Sequence, residues 1–264
     1  VSNTATCLNC RLILKEEDNY CNRCGQSSAT HRFNFGHILH EFFHAFTHTD
    51  KTVFGLVAGL LFRPGILVGE YLDGKRKKYF NPFTFLLLVA AFSIVVLNIT
   101  GTFQSAGNHR ATAPTGMAAP ADTESVAMME RAQKVSTFMA KRQNLVMIIA
   151  VPFNALVFFL FYRRSGRNYA EHLVANVFFV SFVVLFSSLL FYPLLAWFKR
   201  PPGLYFILLL MLISHCAYYA YGYGQLLKCK GWKSWLGIML ASIASITLWS
   251  LLTRFLIGWY IRGF

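Results

Sequence analysis

Charge is scarce in this chain, and acid is scarcer than base. Only 14% of the 264 residues are Asp, Glu, Lys or Arg, where a soluble domain carries about a quarter. That shortage excludes an ordinary water-soluble globule, and it is concentrated in long apolar runs for which a bilayer is the natural solvent. The 11 acidic residues stand against 25 basic ones, a net charge of +14. The bases cluster at the ends of the apolar runs, as membrane-topology signals do, so no nucleic-acid partner is expected. The N-terminus lacks the positive start, short apolar core and small-residue cleavage site of a signal peptide, and none is expected there. No internal repeat is visible, which weighs against the repeat-built transporter folds.

What is present is apolar. Hydrophobic residues make up 55% of the chain, with 26 Phe. Five segments approach or exceed the length needed to cross ~30 Å of hydrocarbon: Pro82–Thr100, Asn144–Tyr162, Leu173–Phe198, Gly203–Tyr223 and Trp235–Trp259. The expected fold is an all-α integral membrane protein of about five transmembrane helices. Pro152 and Pro193 fall inside two spans and are expected to kink them. The expected organisation is a zinc knuckle over 1–30, interfacial helices over 31–80 and a transmembrane bundle over 81–264. A flexible external loop is expected at about 101–125, rich in Gly, Ala, Ser, Thr and Pro. Beyond it, Val126–Arg142 recovers helical periodicity and extends the second span outward. Arg63, Lys75–Lys78, Arg163, Arg164, Arg167, Lys228, Lys230 and Lys233 fall on one side of a five-span chain. Positive-inside then expects a cytoplasmic N-terminus and an external C-terminus, in a bacterial inner membrane.

Four of the six cysteines form two CxxC pairs, Cys7/Cys10 and Cys21/Cys24, separated by ten residues. In a reducing compartment that spacing reads as metal binding. Four thiolates suit structural Zn²⁺ and leave no open position for catalysis. Gly25 is expected to take the positive φ that turns backbone N–H groups towards sulfur. The separation is shorter than the usual ~15–20 residues of such pairs, so a knuckle is expected in place of a full ribbon.

Between 33 and 50 the sequence FNFGHILHEFFHAFTHTD forms an amphipathic helix at 100° per residue. Phe35, Ile38, Leu39, Phe42, Phe43 and Phe46 share one face; His37, His40, Glu41, His44 and His48 share the other. It is suited to a cytoplasmic membrane interface. His40-Glu41-x-x-His44 also matches the pattern in which two imidazoles hold a metal and Glu activates its water. Two readings of the stripe stay open: a polar interfacial face, or a second metal site with His40, His44 and His48 as ligands. In the second, Glu41 and His172 are the candidate catalytic groups. Glu171 and His172 begin the third span, and His215 lies within the fourth, so these ionisable groups are functional candidates at membrane depth.

Arg63-Pro64-Gly65 breaks a short apolar helix, Val53–Phe62, and a second one, Ile66–Leu72, follows. Lys75, Arg76, Lys77 and Lys78 then stand just ahead of the first span. They read as a topology anchor or as a contact for anionic lipid headgroups or a partner, with Glu70 and Asp73 as alternative partners for the bases.

The ordered set of motifs resembles a bacterial family of small multi-spanning inner-membrane proteins with an N-terminal zinc knuckle. The set comprises the paired CxxC ending in Cys24-Gly25-Gln26, HEFFHAFTHTDK, Arg63-Pro64-Gly65, EYLDGKRKKYFNPFTFL from Glu70, and NYAEHLV from Asn168. It is specific as a set and covers about residues 7–180. The resemblance implies that the histidine helix and the Glu171/His172 pair form one signature, and it brings no reaction, substrate or cofactor. Three functions remain open: a scaffold or adaptor contacting lipid or a cytoplasmic or membrane protein partner; a metal-dependent membrane hydrolase using the histidine helix; and a small transporter with His215, Asn154 and Asn176 on a polar path.

Overall fold

The computed structural model describes residues 6–15, 17–28, 53–101, 123–198, 200 and 202–263. The histidine helix expected over 33–50, with Glu41, His40, His44 and His48, lies outside the described residues, as does most of the loop expected at 101–125. Among the described residues the regular structure is helical: α1 (Val53–Phe62), α2 (Pro64–Leu72), α3 (Pro82–Thr100), α4 (Thr123–Tyr162), α5 (Tyr169–Phe186), α6 (Tyr192–Trp197), α7 (Gly203–Leu226) and α8 (Trp232–Arg262). Five helical stretches are long and apolar enough to cross a membrane, as expected.

Local chemistry explains the boundaries. α3 begins where Asn81 caps it, its side-chain oxygen accepting from the N–H groups of Phe83 (2.9 Å) and Thr84 (3.3 Å), with Pro82 at the favoured first position. Gly101 closes it at a left-handed φ of 59°. α5 starts earlier than hydropathy suggests because Asn168 and Glu171 form a capping box, bonded reciprocally at 2.9 and 2.8 Å. α4 lengthens the second span at its N-terminal end as the periodicity predicts, bending at Arg142, where φ is −125°. Pro193 has no N–H for the turn before it, and the chain widens there into a π-turn over Ser187–Phe191 before α6 resumes.

α5 is the axis of the bundle. Every residue from Ala170 to Phe182 is buried, and 67% of the most apolar stretch of its span is covered by protein, against at most 39% for the other four. α3, α4, α7, α1 and α2 all pack on it, while α8 closes the ring against α4 and α7. Uniform apolarity conceals this arrangement, because lipid and protein neighbours are equally apolar.

The Arg63-Pro64-Gly65 break is the tightest joint. Gly65 lies so close to α7 that an added Cβ would stand 2.1 Å from the Gly222 carbonyl oxygen and 2.4 Å from the Leu226 nitrogen, backbone atoms that cannot swing aside. Its N–H donates to Gln225 Oε1 at 3.0 Å. Gly55, ten residues earlier, has open space around it. Gly65→Ala is therefore expected to destabilise the protein by at least ~1–3 kcal/mol through overpacking, whereas Gly55→Ala is neutral or stabilising by up to ~1 kcal/mol. Thermal unfolding of detergent-solubilised protein reads the contrast, and equal melting temperatures for the two variants would refute the close approach.

Candidate metal centre

The two CxxC turns are built alike. The N–H of the first cysteine donates to the carbonyl five residues on (Cys7 to Leu12 and Cys21 to Gln26, both 2.8 Å). The N–H four residues on returns to that cysteine's carbonyl (Arg11 to Cys7, 2.9 Å; Gly25 to Cys21, 2.7 Å). Both closing residues take a positive φ, 69° at Gly25 and 60° at Arg11. Gly25 behaves as its lack of a side chain dictates. Arg11 was not legible as a turn residue from its identity, and only its matching position after the first CxxC signals it. Isolated antiparallel bridges, Thr6 with Ile13 and Tyr20 with Ser27, flank the turns.

These turns bring the four sulfurs together. Cys7 and Cys24 Sγ lie 3.6 Å apart, Cys10 and Cys21 Sγ 3.5 Å apart, and all four lie within 4.8 Å of one another. A tetrahedral S₄ site with metal–sulfur bonds of ~2.3 Å requires sulfur separations near ~3.8 Å, so the donor set fits a thiolate-preferring ion. The Gln26 N–H lowers the Cys24 thiol to about 6. The Leu12 N–H lowers Cys10, but partial desolvation and hydrogen bonds with Cys21, Cys24 and Cys7 outweigh it and push that thiol to about 12. Without an ion the cluster retains protons that a divalent cation would displace. Among the described residues of the unit, Leu14 is the one buried large apolar side chain besides the cysteines, too little core to fold without a staple.

The knuckle is joined to the bundle. Gln26 is buried, and its Oε1 accepts from the Lys77 N–H at 3.1 Å, across 51 residues of sequence. Lys77 belongs to a 3₁₀ turn, Arg76–Lys78, shaped by Glu70. That carboxylate receives Lys78 Nζ (2.8 Å), Lys75 Nζ (3.2 Å) and the Tyr79 hydroxyl. Hydrogen bonds from Lys78 and then Tyr79, followed by Lys75, hold it at about 2 against an ordinary 4.5. Of the expected lipid-contact residues, Lys75 and Lys78 are thus engaged within the protein, and the Lys77 and Lys78 side chains are exposed. Asp73 pairs with Arg167 at 3.5 Å and not with the basic run.

A second polar cluster lies inside the bundle. The carbonyl of His172 can only accept, so the Asn176 atom 2.9 Å from it must be Nδ2. The same amide donates to Tyr223 (2.6 Å), and its Oδ1 accepts from the Tyr219 hydroxyl (3.3 Å). The Tyr223 hydroxyl also lies 3.4 Å from His172 Nδ1, and the other ring nitrogen, Nε2, is buried without a hydrogen-bond partner among the described residues. His215 stacks on Tyr219 with centroids 4.8 Å apart. Asn154, His215, Tyr219, Ser242 and Ser245 line a cavity of about 10 Å³, about the room one water needs. His172 and His215 thus meet through Tyr219 and Tyr223, one turn apart on α7. Glu171, paired with His172 in the sequence signature, serves the capping box. The tyrosines were missed, although the run Tyr218-Tyr219-Ala220-Tyr221-Gly222-Tyr223 is unusually polar for a membrane span.

A model of the family described as Protein of unknown function (DUF3667) matches residues 50–94. That range holds α1, α2, the basic turn and the first part of α3. No curated protein and no solved structure matches the chain.

The Glu70 cluster has a pH signature. Its folded carboxyl lies below the ordinary value, so its stabilisation is complete above that value and is lost as pH falls from about 5 towards 2. Partial exposure of the carboxylate reduces the effect to about 1–2 kcal/mol. Wild-type protein is expected to be more stable than Glu70→Gln at pH 6, with the gap narrowing steadily towards pH 3. Parallel stability curves would contradict this assignment.

Proposed function

We propose that this chain is a non-enzymatic membrane adaptor, in which a five-span bundle holds a structural zinc knuckle against a basic turn on the cytoplasmic face of a bacterial inner membrane. The observation that carries this reading is the Gln26–Lys77 hydrogen bond, which joins a closed four-thiol site to the turn preceding the first span. Zn²⁺ suits the site because it favours tetrahedral thiolate coordination and is redox-inert. Four sulfurs leave no position for substrate. The knuckle also exposes Leu8, Ile13 and Tyr20, at 47%, 66% and 67%, large side chains on a unit that has almost no core of its own. They supply a contact for a protein partner, while the exposed Lys77 side chain supplies charge for anionic headgroups.

Intramembrane proton handling is the second reading, and the network around Asn176 favours it. Asn176 and His215 both contact Tyr219, and Asn154 lines the same small cavity as His215 and Tyr219. The network starts at His172, three residues into α5, and reaches Ser245, thirteen residues into α8, or ~5 to ~20 Å by helical rise. Beyond it Phe191, Leu195 and Ile207 form an apolar cluster, so this half-path ranks below the adaptor. The hydrolase reading rests on His40, Glu41 and His44 with His48 and His172 as supplementary groups, and it requires a second metal.

Elemental mass spectrometry of detergent-purified protein separates the adaptor from the hydrolase. The adaptor predicts one zinc per chain, absent when Cys7, Cys10, Cys21 and Cys24 are all changed to Ser. A second metal that survives those changes and is lost in His40→Ala would place the hydrolase first.

A further inference from the structure

Among the described residues α1 has ten, about 15 Å, and Asp50 and Lys51 precede its apolar run in the sequence, so that run is too short to span a bilayer. It is also unlike a helix lying on a membrane surface. Such a helix turns a polar face to water, whereas VFGLVAGLLF contains no polar side chain. Leu56 and Leu60 face the core. The opposite side shows Phe54, Gly55, Ala58, Leu61 and Phe62, with Phe54 90% exposed and Phe62 71%. Neither face is built for water.

The backbone at the end of α1 points the same way. In water, hydration satisfies any carbonyl at a helix end that finds no side-chain or backbone partner. Here the Leu60 carbonyl accepts from the Tyr218 hydroxyl at 3.1 Å and the Phe62 carbonyl from the Tyr221 hydroxyl at 2.6 Å. The Gly65 N–H, just past the break, is taken by Gln225. All three partners come from α7, a membrane-spanning helix. Side-chain closure of a helix break is what hydrocarbon demands, since each orphan group there costs several kcal/mol. Tyr218 and Tyr221 lie eight and five residues before Leu226, or ~12 and ~8 Å along a helix of ~36 Å, longer than the ~30 Å apolar layer. Arg63, the one charge at the bend, is exposed and has a stem long enough to reach the boundary.

We infer that α1 is a non-crossing membrane element whose outer face lies against lipid acyl chains in the leaflet carrying the basic turn. The inference is independent of the adaptor reading, because it rests only on α1, the bend and α7. It places this helix below the interface assigned to it by sequence, and it makes α1 and α2 together a wedge in one leaflet.

The test uses 4-trifluoromethyl-phenylalanine at Phe54 or Phe62 in the full chain, reconstituted in nanodiscs of phosphatidylcholine and phosphatidylglycerol. Fluorine relaxation is measured with dissolved oxygen, which concentrates in acyl chains, and with a water-soluble nickel chelate. Phe92, partly exposed within α3, provides the hydrocarbon reference; Tyr20, 67% exposed on the knuckle, provides the aqueous one. Both test side chains are exposed, so the substitutions leave the core unchanged. The expected result is strong oxygen relaxation at both positions, as at Phe92, with nickel relaxation several-fold weaker than at Tyr20. Nickel relaxation equal to that at Tyr20 would put the face in water and overturn the inference. Weak relaxation by both agents would mean that protein, such as a second copy of the chain, covers the face, and would overturn it equally.

Discussion

Glu70 stands near the end of α2 and collects Lys75, Lys78 and the Tyr79 hydroxyl on one carboxylate. Those residues bracket the Arg76–Lys78 turn, so the carboxylate neutralises two of four consecutive bases and fixes the path of the backbone between them. The Lys77 N–H is thereby aimed at Gln26, and the knuckle is seated through it. Remove the carboxylate and the bases would repel one another, the turn would lose its shape, and the knuckle would lose its anchor on the bundle. The arrangement explains why a short mini-domain with little core can hold a defined position beside a membrane protein.

A second constraint acts inside the apolar layer, where backbone groups must find partners without water. Tyr218, Tyr221 and Gln225 close the break between α1 and α2. Ser181, Ser188 and Ser242 return their hydroxyls to carbonyls one turn earlier in their own helices. Tyr169 donates to the carbonyl of Pro152 at 3.1 Å, which ties the start of α5 to α4. Among the described residues His172 Nε2 is one departure from this economy, and it lies in the network that links both intramembrane histidines.

Much of the fold was legible because hydropathy and capping act locally. The five spans, the helix-breaking Arg63-Pro64-Gly65 and the start at Asn81-Pro82 follow from residue types alone, as does the gathering of Cys7, Cys10, Cys21 and Cys24. The central position of α5 was not legible, because a helix sheathed in protein and one sheathed in lipid are equally apolar. Its polar residues, Glu171, His172, Asn176 and Ser181, were the available clue, since they need protein neighbours. Long-range pairings such as Gln26 with Lys77, or Gly65 with Gln225, leave no periodic trace in sequence. Arg11 shows a different limit: turn geometry imposed by a sulfur cluster overrides the preference of the residue that must adopt it.

The central claim is that the knuckle and the basic turn form one unit. Amide hydrogen exchange at Lys77 tests it most directly, measured in the reconstituted protein with the four knuckle cysteines intact and with all four changed to Ser. Protection at Lys77 that falls by about tenfold or more in the Ser variant, the worth of one ordinary hydrogen bond, is the predicted result. Equal exchange in the two proteins would show that the turn does not sense the knuckle, and would contradict the account.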